Sequence, residues 1–332
     1  MKNITIIGTG AYGTCLANVL ADNGHSVVMY GIVETQVNDL NINHKNSTFL
    51  GDIKFNQNIK ATTDLSAALE KTDILILGVP TVALKSVIKD IIKYAKNEMI
   101  IINTAKGLDE ENLGLLSDLI KREFAESKMM KEYAALYGPS IASEVAQRKP
   151  TALMLCSDKL EVAKDLAKIF SNEYFYVYPW NDLAGCEIAA ALKNTVAIGS
   201  GILFGFEAGD NAQASLITVG ANEMFLIGSQ FGARLETFFN FAGLGDLILT
   251  ASSQKSRNFT LGRKIAKYNS AKIAMENYKL TVEGVGSAKI AFNLCKKYNL
   301  KTSLFENMFQ ILYNDTKPIA LINNVFNDVK LV

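Results

Sequence analysis

Along the first half of the chain, short apolar runs alternate with segments whose apolar positions recur at three- and four-residue spacing. The runs "NITIIG" (3–8), "HSVVMYG" (25–31), "DILILGVP" (73–80), "EMIIINTAKG" (98–107), "YAALYGPS" (133–140) and "TALMLCS" (151–157) predict strands. Those at 73–80 and 98–107 are continuously apolar, the pattern of a strand covered on both faces. Between them, "AYGTCLANVLADNG" predicts a helix ending at Gly24, and "VALKSVIKDIIKYA" (82–95) and "KLEVAKDLAKIF" (159–170) predict two more. Strand–helix alternation of this kind implies a parallel, doubly wound sheet. The pattern changes near "YVYPWND" (176–182), beyond which no segment predicts a strand. Residues 183–232, 259–275, 283–298 and 303–313 carry helical spacing. The expectation is an α/β domain over 1–180 followed by an all-α domain over 181–332.

Composition fits that plan. At 332 residues, 49% hydrophobic and 20% charged, the chain suits two globular domains at about 100–200 residues each. Lys+Arg total 34 against 33 Asp+Glu, so no overall basic field draws it to nucleic acid or anionic lipid, and neither is an expected partner. Cys15, Cys156, Cys186 and Cys295 stand singly in apolar contexts without a CxxC pair, which predicts free buried thiols. His25 and His44 are the two histidines, both in polar stretches expected at the surface, so no metal site is expected. The N-terminus enters a strand directly, without a basic or apolar leader, and the expected address is cytoplasmic.

Residues 188–206 are apolar enough to raise a membrane span, and contain "GILFG", a GxxxG pattern. Lys193, Asn194 and Thr195 lie at its centre, where a lysine costs about 2.5–3.5 kcal/mol, so no stable span is expected.

The chemistry begins at "GTGAYG", which places Gly8, Gly10 and Gly13 in G-x-G-x-x-G spacing after a strand and at the start of a helix. Such glycines make a tight turn, admit a pyrophosphate and close the helix onto the strand. The first domain therefore reads as a Rossmann-like dinucleotide-binding domain. At the tip of the second strand, "VVMYGIVETQ" has neither an acid nor an arginine at the expected place, and Glu34 comes a few residues late, so NAD and NADP both stay open.

In the second domain two opposite charges sit in apolar surroundings, Lys193 in "AALKNTVAIG" and Asp246 in "FAGLGDLILT". If both are buried, meeting one another limits the cost, and such a lysine can protonate a carbonyl oxygen as hydride reaches its carbon. A purely structural ion pair, or a lysine that reaches the surface, explains the residue types equally well. Lys106 in "NTAKGLD" should project from the carboxyl end of the strand before it, where open α/β sheets bind ligands. "GPSIASEV" (138–145) offers backbone donors and the Ser140 hydroxyl at the same edge, or a simple helix cap. Ser256, Arg257 and Asn258 form either a phosphate clamp or a polar interhelical loop.

Taken in order, "GTGAYGTCLA", "TAKGL", "GPSIASEV", "GCEIAAALKNTVAIGSG", "GDNAQASLITVGANEM", "FAGLGDLILTASSQKSRN" and "VEGV" resemble the bacterial-type NAD(P)-dependent glycerol-3-phosphate dehydrogenases over almost the whole chain. The resemblance implies NAD(P)H-dependent reduction of dihydroxyacetone phosphate to sn-glycerol 3-phosphate for phospholipid synthesis. It implies Lys193 as the catalytic lysine, Asn194 and Asp246 as its hydrogen-bonding supports, and Lys106 as the second lysine near substrate and nicotinamide. Gly138, Ser140, Ser256, Arg257 and Asn258 match substrate positions. Ala11, Tyr12, Phe49, Ala142, Arg257, Thr281 and Glu283 match cofactor positions beside Gly8, Gly10 and Gly13. Ala11 stands where the family usually has serine, and Ile32 where it often has arginine or histidine. A homodimer is expected from the same resemblance. Two other readings stay open at this point: a 2-hydroxyacid dehydrogenase of the 6-phosphogluconate or 3-hydroxyisobutyrate kind, and a non-catalytic dinucleotide-binding redox reporter.

Overall fold

The computed structural model describes residues 1–327. Its strands are β1 (Asn3–Ile7), β2 (Ser26–Tyr30), β3 (Lys60–Thr62), β4 (Ile74–Leu77), β5 (Met99–Asn103), β6 (Met130–Tyr137), β7 (Thr151–Cys156) and β8 (Phe175–Trp180). They form one sheet in the order β3-β2-β1-β4-β5-β6-β7-β8. Chain progression reverses between β1 and β4, the switch point at which open α/β sheets bind ligands outside the strands' carboxyl ends. The helices α1 (Ala11–Asp22), α2 (Leu84–Tyr94), α3 (Leu116–Phe124) and α4 (Leu160–Phe170) accompany this sheet.

Two features differ from the sequence expectation. The sheet is parallel except at β6–β7, which pair antiparallel, so β7 and β8 run against the rest. Only the five-residue helix Ala142–Ala146 separates β6 from β7, in place of a long crossover helix that would return the chain parallel. The segment read as a domain transition is instead β8. Tyr176 and Tyr178 are exposed while Phe175 and Val177 are buried, so this edge strand is half polar in character, and the edge tolerates Pro179.

The chain divides into two compact units. The first comprises Met1–Ala105 and Leu116–Leu183; the second comprises Lys106–Leu115 and the chain from Ala184 onward. The first unit's core is built from β1, β2, β4 and β6 with α1 and α4, through residues such as Ile4, Ile6, Leu16, Ile76, Leu136 and Phe170.

The second unit is helical, with α5 (Leu183–Gly205), α6 (Asp210–Gly228), α7 (Asp246–Ser252), α8 (Arg257–Tyr268), α9 (Glu283–Lys297) and α10 (Ser303–Tyr313) as its principal elements. Helix α5 is apolar on every side, the mark of a helix enclosed by others. It is the one described helix long and apolar enough to cross a membrane, but 89% of that window is buried within the protein. Leu192, Val196 and Ile202 of α5 join Leu216, Leu261, Phe305 and Met308 in one core. Where α5 crosses α8, a Cβ on Gly201 would lie 2.1 Å from the Phe259 carbonyl oxygen, and one on Gly262 would lie 2.1 Å from that of Ile198. Only glycine admits this approach, which brings the start of α8 onto the middle of α5.

The cysteine expectation needs correction. Cys15 and Cys295 are free and buried, and burial pushes their thiols up to about 12 and about 11. Cys156 and Cys186 are disulfide-bonded, which the absence of a CxxC pair does not announce. His25 and His44 are half-buried, not fully exposed.

Candidate active site

Three consecutive residues of α5 organise the second unit's polar interior. At about 100° per residue, Lys193, Asn194 and Thr195 must face three different neighbours. Lys193 points to α7, where Asp246 and Thr250 lie four residues apart on one helix face. Its Nζ donates to Asp246 Oδ1 at 2.9 Å and to Thr250 Oγ1 at 2.6 Å. Lys106 Nζ donates to the other oxygen, Asp246 Oδ2, at 2.8 Å. The carboxylate thus joins two ammonium groups 140 and 53 residues away in the chain. Lys193 is 3% and Asp246 1% exposed, while the Lys106 side chain retains 20%.

Two lysines on one carboxylate leave the cluster with one net positive charge. Burial favours the protonated form of Asp246, but Lys106 and Lys193 outweigh it and hold the carboxyl below its ordinary range. Lys193 moves the other way. Burial lowers it, Asp246 partly opposes this, Lys106 adds repulsion, and the ammonium ends at about 8. Thr250 completes the geometry: its hydroxyl donates to the Asp246 backbone carbonyl at 2.6 Å, so its oxygen lone pairs face the ammonium. No motif in the sequence singles out Thr250, although its i+4 spacing from Asp246 marks it as a neighbour on that face.

Asn194 serves a different network from the one expected. Its described bonds go to α8 and α9 rather than to Lys193 or Asp246. Asn194 Nδ2 donates to Glu283 Oε2 at 3.1 Å, and Asn258 Nδ2 donates to Asn194 Oδ1 at 3.0 Å. Asn258 Oδ1 accepts from the Gly284 N–H at 2.9 Å, and Thr195 Oγ1 donates to the Gly284 carbonyl at 2.9 Å. The physical reason is helical periodicity, which turns position 194 away from α7. Ser256 caps α8, its Oγ accepting from the Phe259 N–H at 3.2 Å, and the adjoining Arg257 is exposed in the helix's first turn. Thr281 and Glu283 are exposed at the start of α9.

In the first unit, Gly8, Gly10, Ala11, Tyr12 and Gly13 form the turn from β1 into α1. Gly8 has φ +114°, and a Cβ there would lie 2.7 Å from the Gly78 carbonyl oxygen. A Cβ on Gly13 would lie 2.8 Å from the Gly8 carbonyl oxygen, so α1 closes onto the strand end. A Cβ on Gly10 would meet nothing within 4 Å. The turn therefore packs tightly at its outer two glycines and opens at the middle one, in front of a twelve-residue helix with no side-chain cap. This fits a dinucleotide pyrophosphate.

Gly138 follows β6, whose carboxyl end lies at the same sheet edge as that of β1 through parallel pairing. Ser140 Oγ donates to the Gly138 carbonyl at 3.1 Å, and the Ala142 carbonyl accepts from Cys15 Sγ on α1 at 3.0 Å. Phe49, in the short helix Ser47–Leu50, is half exposed, and Ile32 beyond β2 is 85% exposed.

Comparison with known proteins agrees across both units. Residues 3–163 match the family model for the NAD-dependent glycerol-3-phosphate dehydrogenase N-terminus, and residues 182–323 match that for its C-terminus. A glycerol-3-phosphate dehydrogenase (NAD(P)+) of Mesoplasma florum is 64% identical over 331 residues, covering 100% of this chain and 99% of its own. The Bacillus subtilis enzyme is 35% identical, covering 98% and 94%. The crystal structure of glycerol-3-phosphate dehydrogenase from Coxiella burnetii superposes with a TM-score of 0.89 at 32% identity, covering 97% of this chain and 98% of that one. A ketopantoate reductase from Ralstonia eutropha, with a TM-score of 0.57 at 15% identity, shares the fold alone.

Proposed function

This chain belongs to the NAD-dependent glycerol-3-phosphate dehydrogenase family, and we propose that Lys193 exchanges the proton in its reaction. That reaction is the reversible, NAD(P)H-dependent reduction of dihydroxyacetone phosphate to sn-glycerol 3-phosphate, the backbone unit of glycerophospholipids. When bound, a nicotinamide dinucleotide held by the glycine turn would supply the hydride for the ketone carbon. What the protein must supply is a proton for the oxygen and a field that favours the developing alkoxide.

The observation that carries the proposal is the Lys106–Asp246–Lys193 cluster. An ammonium has three donors, and Asp246 and Thr250 take two of those on Lys193. The third is left for the substrate oxygen. Before transfer the cluster is positive, which stabilises charge developing on that oxygen. After transfer, neutral Lys193 leaves Lys106 and Asp246 as a balanced ion pair, so no buried charge is stranded. Without Lys106, deprotonating Lys193 would leave a lone buried carboxylate. Lys106 thus makes Lys193 able to lose its proton as well as hold it. In the reverse direction neutral Lys193 takes the hydroxyl proton.

The pH dependence follows in sign. Lys193 is mainly protonated below about 8 and mainly neutral above it. Reduction should therefore slow as pH rises through about 8, and oxidation of glycerol 3-phosphate should quicken over the same interval. Profiles of kcat in both directions check this. Inflections of the same sense in both directions would count against Lys193.

We assign residues 1–180 to dinucleotide binding and 181–332 to substrate binding and catalysis, with Lys106–Leu115 contributing to the latter. Gly8, Gly10, Ala11, Tyr12, Gly13, Phe49 and Ala142 are proposed to hold the dinucleotide, with Lys106, Arg257, Thr281 and Glu283 also contacting it. Gly138, Ser140, Ser256, Arg257 and Asn258 are proposed to hold the phosphorylated substrate with the catalytic cluster, and Asn194 to fix Asn258 and Glu283. Arg257 is the phosphate clamp in this proposal. Arg257→Ala should raise the KM for dihydroxyacetone phosphate about ten- to a hundredfold, the value of one or two charge-assisted bonds. Steady-state kinetics with saturating NADH tests it, and an unchanged KM removes Arg257 from the phosphate site. We further propose a homodimer acting in the cytoplasm, where NADH and phosphate esters are kept; sedimentation at micromolar concentration tests the first part.

A further inference from the structure

We infer that Asn46 is the positioning residue of the dinucleotide loop: its side-chain amide holds the Thr9 carbonyl inward, which turns the Gly10 N–H outward, and through Thr14 it braces the Gly10 carbonyl that α1 already holds. This builds on dinucleotide binding by the first unit. Asn46 lies outside the glycine motif, 32 and 37 residues from the two positions it bonds. It is 1% exposed, and its Nδ2 donates to the Thr9 carbonyl at 2.9 Å and to Thr14 Oγ1 at 2.7 Å. Thr14, fully buried in α1, passes the interaction on: its hydroxyl donates to the Gly10 carbonyl at 3.0 Å. One amide thus satisfies the Thr9 carbonyl directly and, through the Thr14 hydroxyl, reinforces the Gly10 carbonyl, which also accepts the Thr14 N–H at 3.0 Å. The amide's orientation follows from Thr9, where the reverse would set two acceptors face to face; as placed, its buried Oδ1 has no hydrogen-bond partner among the described residues.

The consequence for the ligand comes from peptide geometry. Among the described residues no peptide bond is cis, and in a trans peptide the C=O and N–H point in opposite directions. A Thr9 carbonyl held inward therefore aims the Gly10 N–H outward, and the Gly10 carbonyl does the same for Ala11. A Cβ at Gly10 would meet nothing within 4 Å, so there is open space beside this residue. Helix α1 fixes the Gly10–Ala11 peptide through the Thr14 N–H, but the Thr9–Gly10 peptide before it would otherwise be free to flip, presenting a carbonyl oxygen to an anion in place of a donor. The backbone of Asn46 adds a second constraint. Its carbonyl accepts from the Phe49 and Leu50 N–H groups at 3.1 and 2.8 Å, starting the turn that carries Phe49. Asn46 thus ties the proposed phosphate donors to the proposed aromatic contact.

The test uses the full chain titrated with NADH by calorimetry, in wild type, Asn46→Ala, Thr14→Val and the double variant. Asn46→Ala should weaken binding about ten- to a hundredfold, the effect of leaving a buried carbonyl and hydroxyl without their donor. Thr14→Val, which removes the brace on Gly10 and one of the two Asn46 bonds but leaves the bond to Thr9, should weaken it less. The double variant should lose less than the product of the two, because both act through one network. In kinetics the loss should appear as a raised KM for NADH, with kcat and the KM for dihydroxyacetone phosphate little moved. If wild type binds NADH and Asn46→Ala binds it equally well, Asn46 supports only the fold and the inference is overturned. Should Asn46→Ala not fold, Thr14→Val decides, and an unchanged NADH affinity there overturns the relay. A wild-type chain that binds no NADH would instead remove the dinucleotide reading itself.

Discussion

Replacing Lys193 by methionine should lower kcat for dihydroxyacetone phosphate reduction by at least about 10²–10³, the usual loss of one charge-stabilising donor. Removal of a general acid adds to that figure, since such groups contribute about 10²–10⁴ themselves. The variant should nevertheless fold. Methionine fills a similar volume among apolar neighbours, and Asp246 keeps Lys106 at 2.8 Å, so the remaining pair is neutral. Thr250 keeps its bond to the Asp246 carbonyl. Turnover measured at saturating NADH and ketone, beside a thermal melt, separates the two effects. Near-wild-type turnover in a folded variant would end the assignment of Lys193 as proton donor.

Asp246→Asn should produce the second large effect, on stability as well as rate. The substitution keeps the shape but leaves two ammonium groups facing one another with no carboxylate. Breaking a buried pair in this way costs about 3–5 kcal/mol, and partial exposure of Lys106 places this case near the lower end. The protein has one escape, which is to release a proton. With Asp246 gone, the partner that opposed the effect of burial on Lys193 is gone too, so the lysine should fall below about 8 and become mainly neutral at pH 7. Reduction at neutral pH should then fail even in the fraction that remains folded. A melting temperature and neutral-pH turnover both close to wild type would show that the carboxylate neither holds nor tunes the lysines.

Much of this arrangement was legible before any coordinates. The continuous apolar runs at β4 and β5 announce a sheet covered on both faces, and G-x-G-x-x-G after the first strand announces the dinucleotide turn. The pairing of Lys193 with Asp246 follows from the cost of burying either alone. Other features left little trace. β8 alternates exposed tyrosines with buried residues and contains a proline, so it reads as a boundary. The allocation of Lys106 to the helical unit depends on a contact across 140 residues, which local pattern cannot express. The resemblance implies Asn194 as a hydrogen-bonding support of Lys193, whereas a helix separates adjacent residues by a quarter turn or more and turns Asn194 to Glu283 and Asn258. Thr250 and Asn46 are ordinary polar residues whose importance comes wholly from what they touch.

The account rests on Lys193 being a shielded ammonium tuned by two charged neighbours. Its direct measure is the titration of that one side chain, followed by NMR on protein carrying 13C-labelled lysine and assigned by the signal lost in Lys193→Met. A midpoint near 8, moving lower in Asp246→Asn, is the expected result. A lysine that titrates at the ordinary value of about 10.4, unmoved when Asp246 is replaced, would show that the group is neither desolvated nor coupled to that carboxylate.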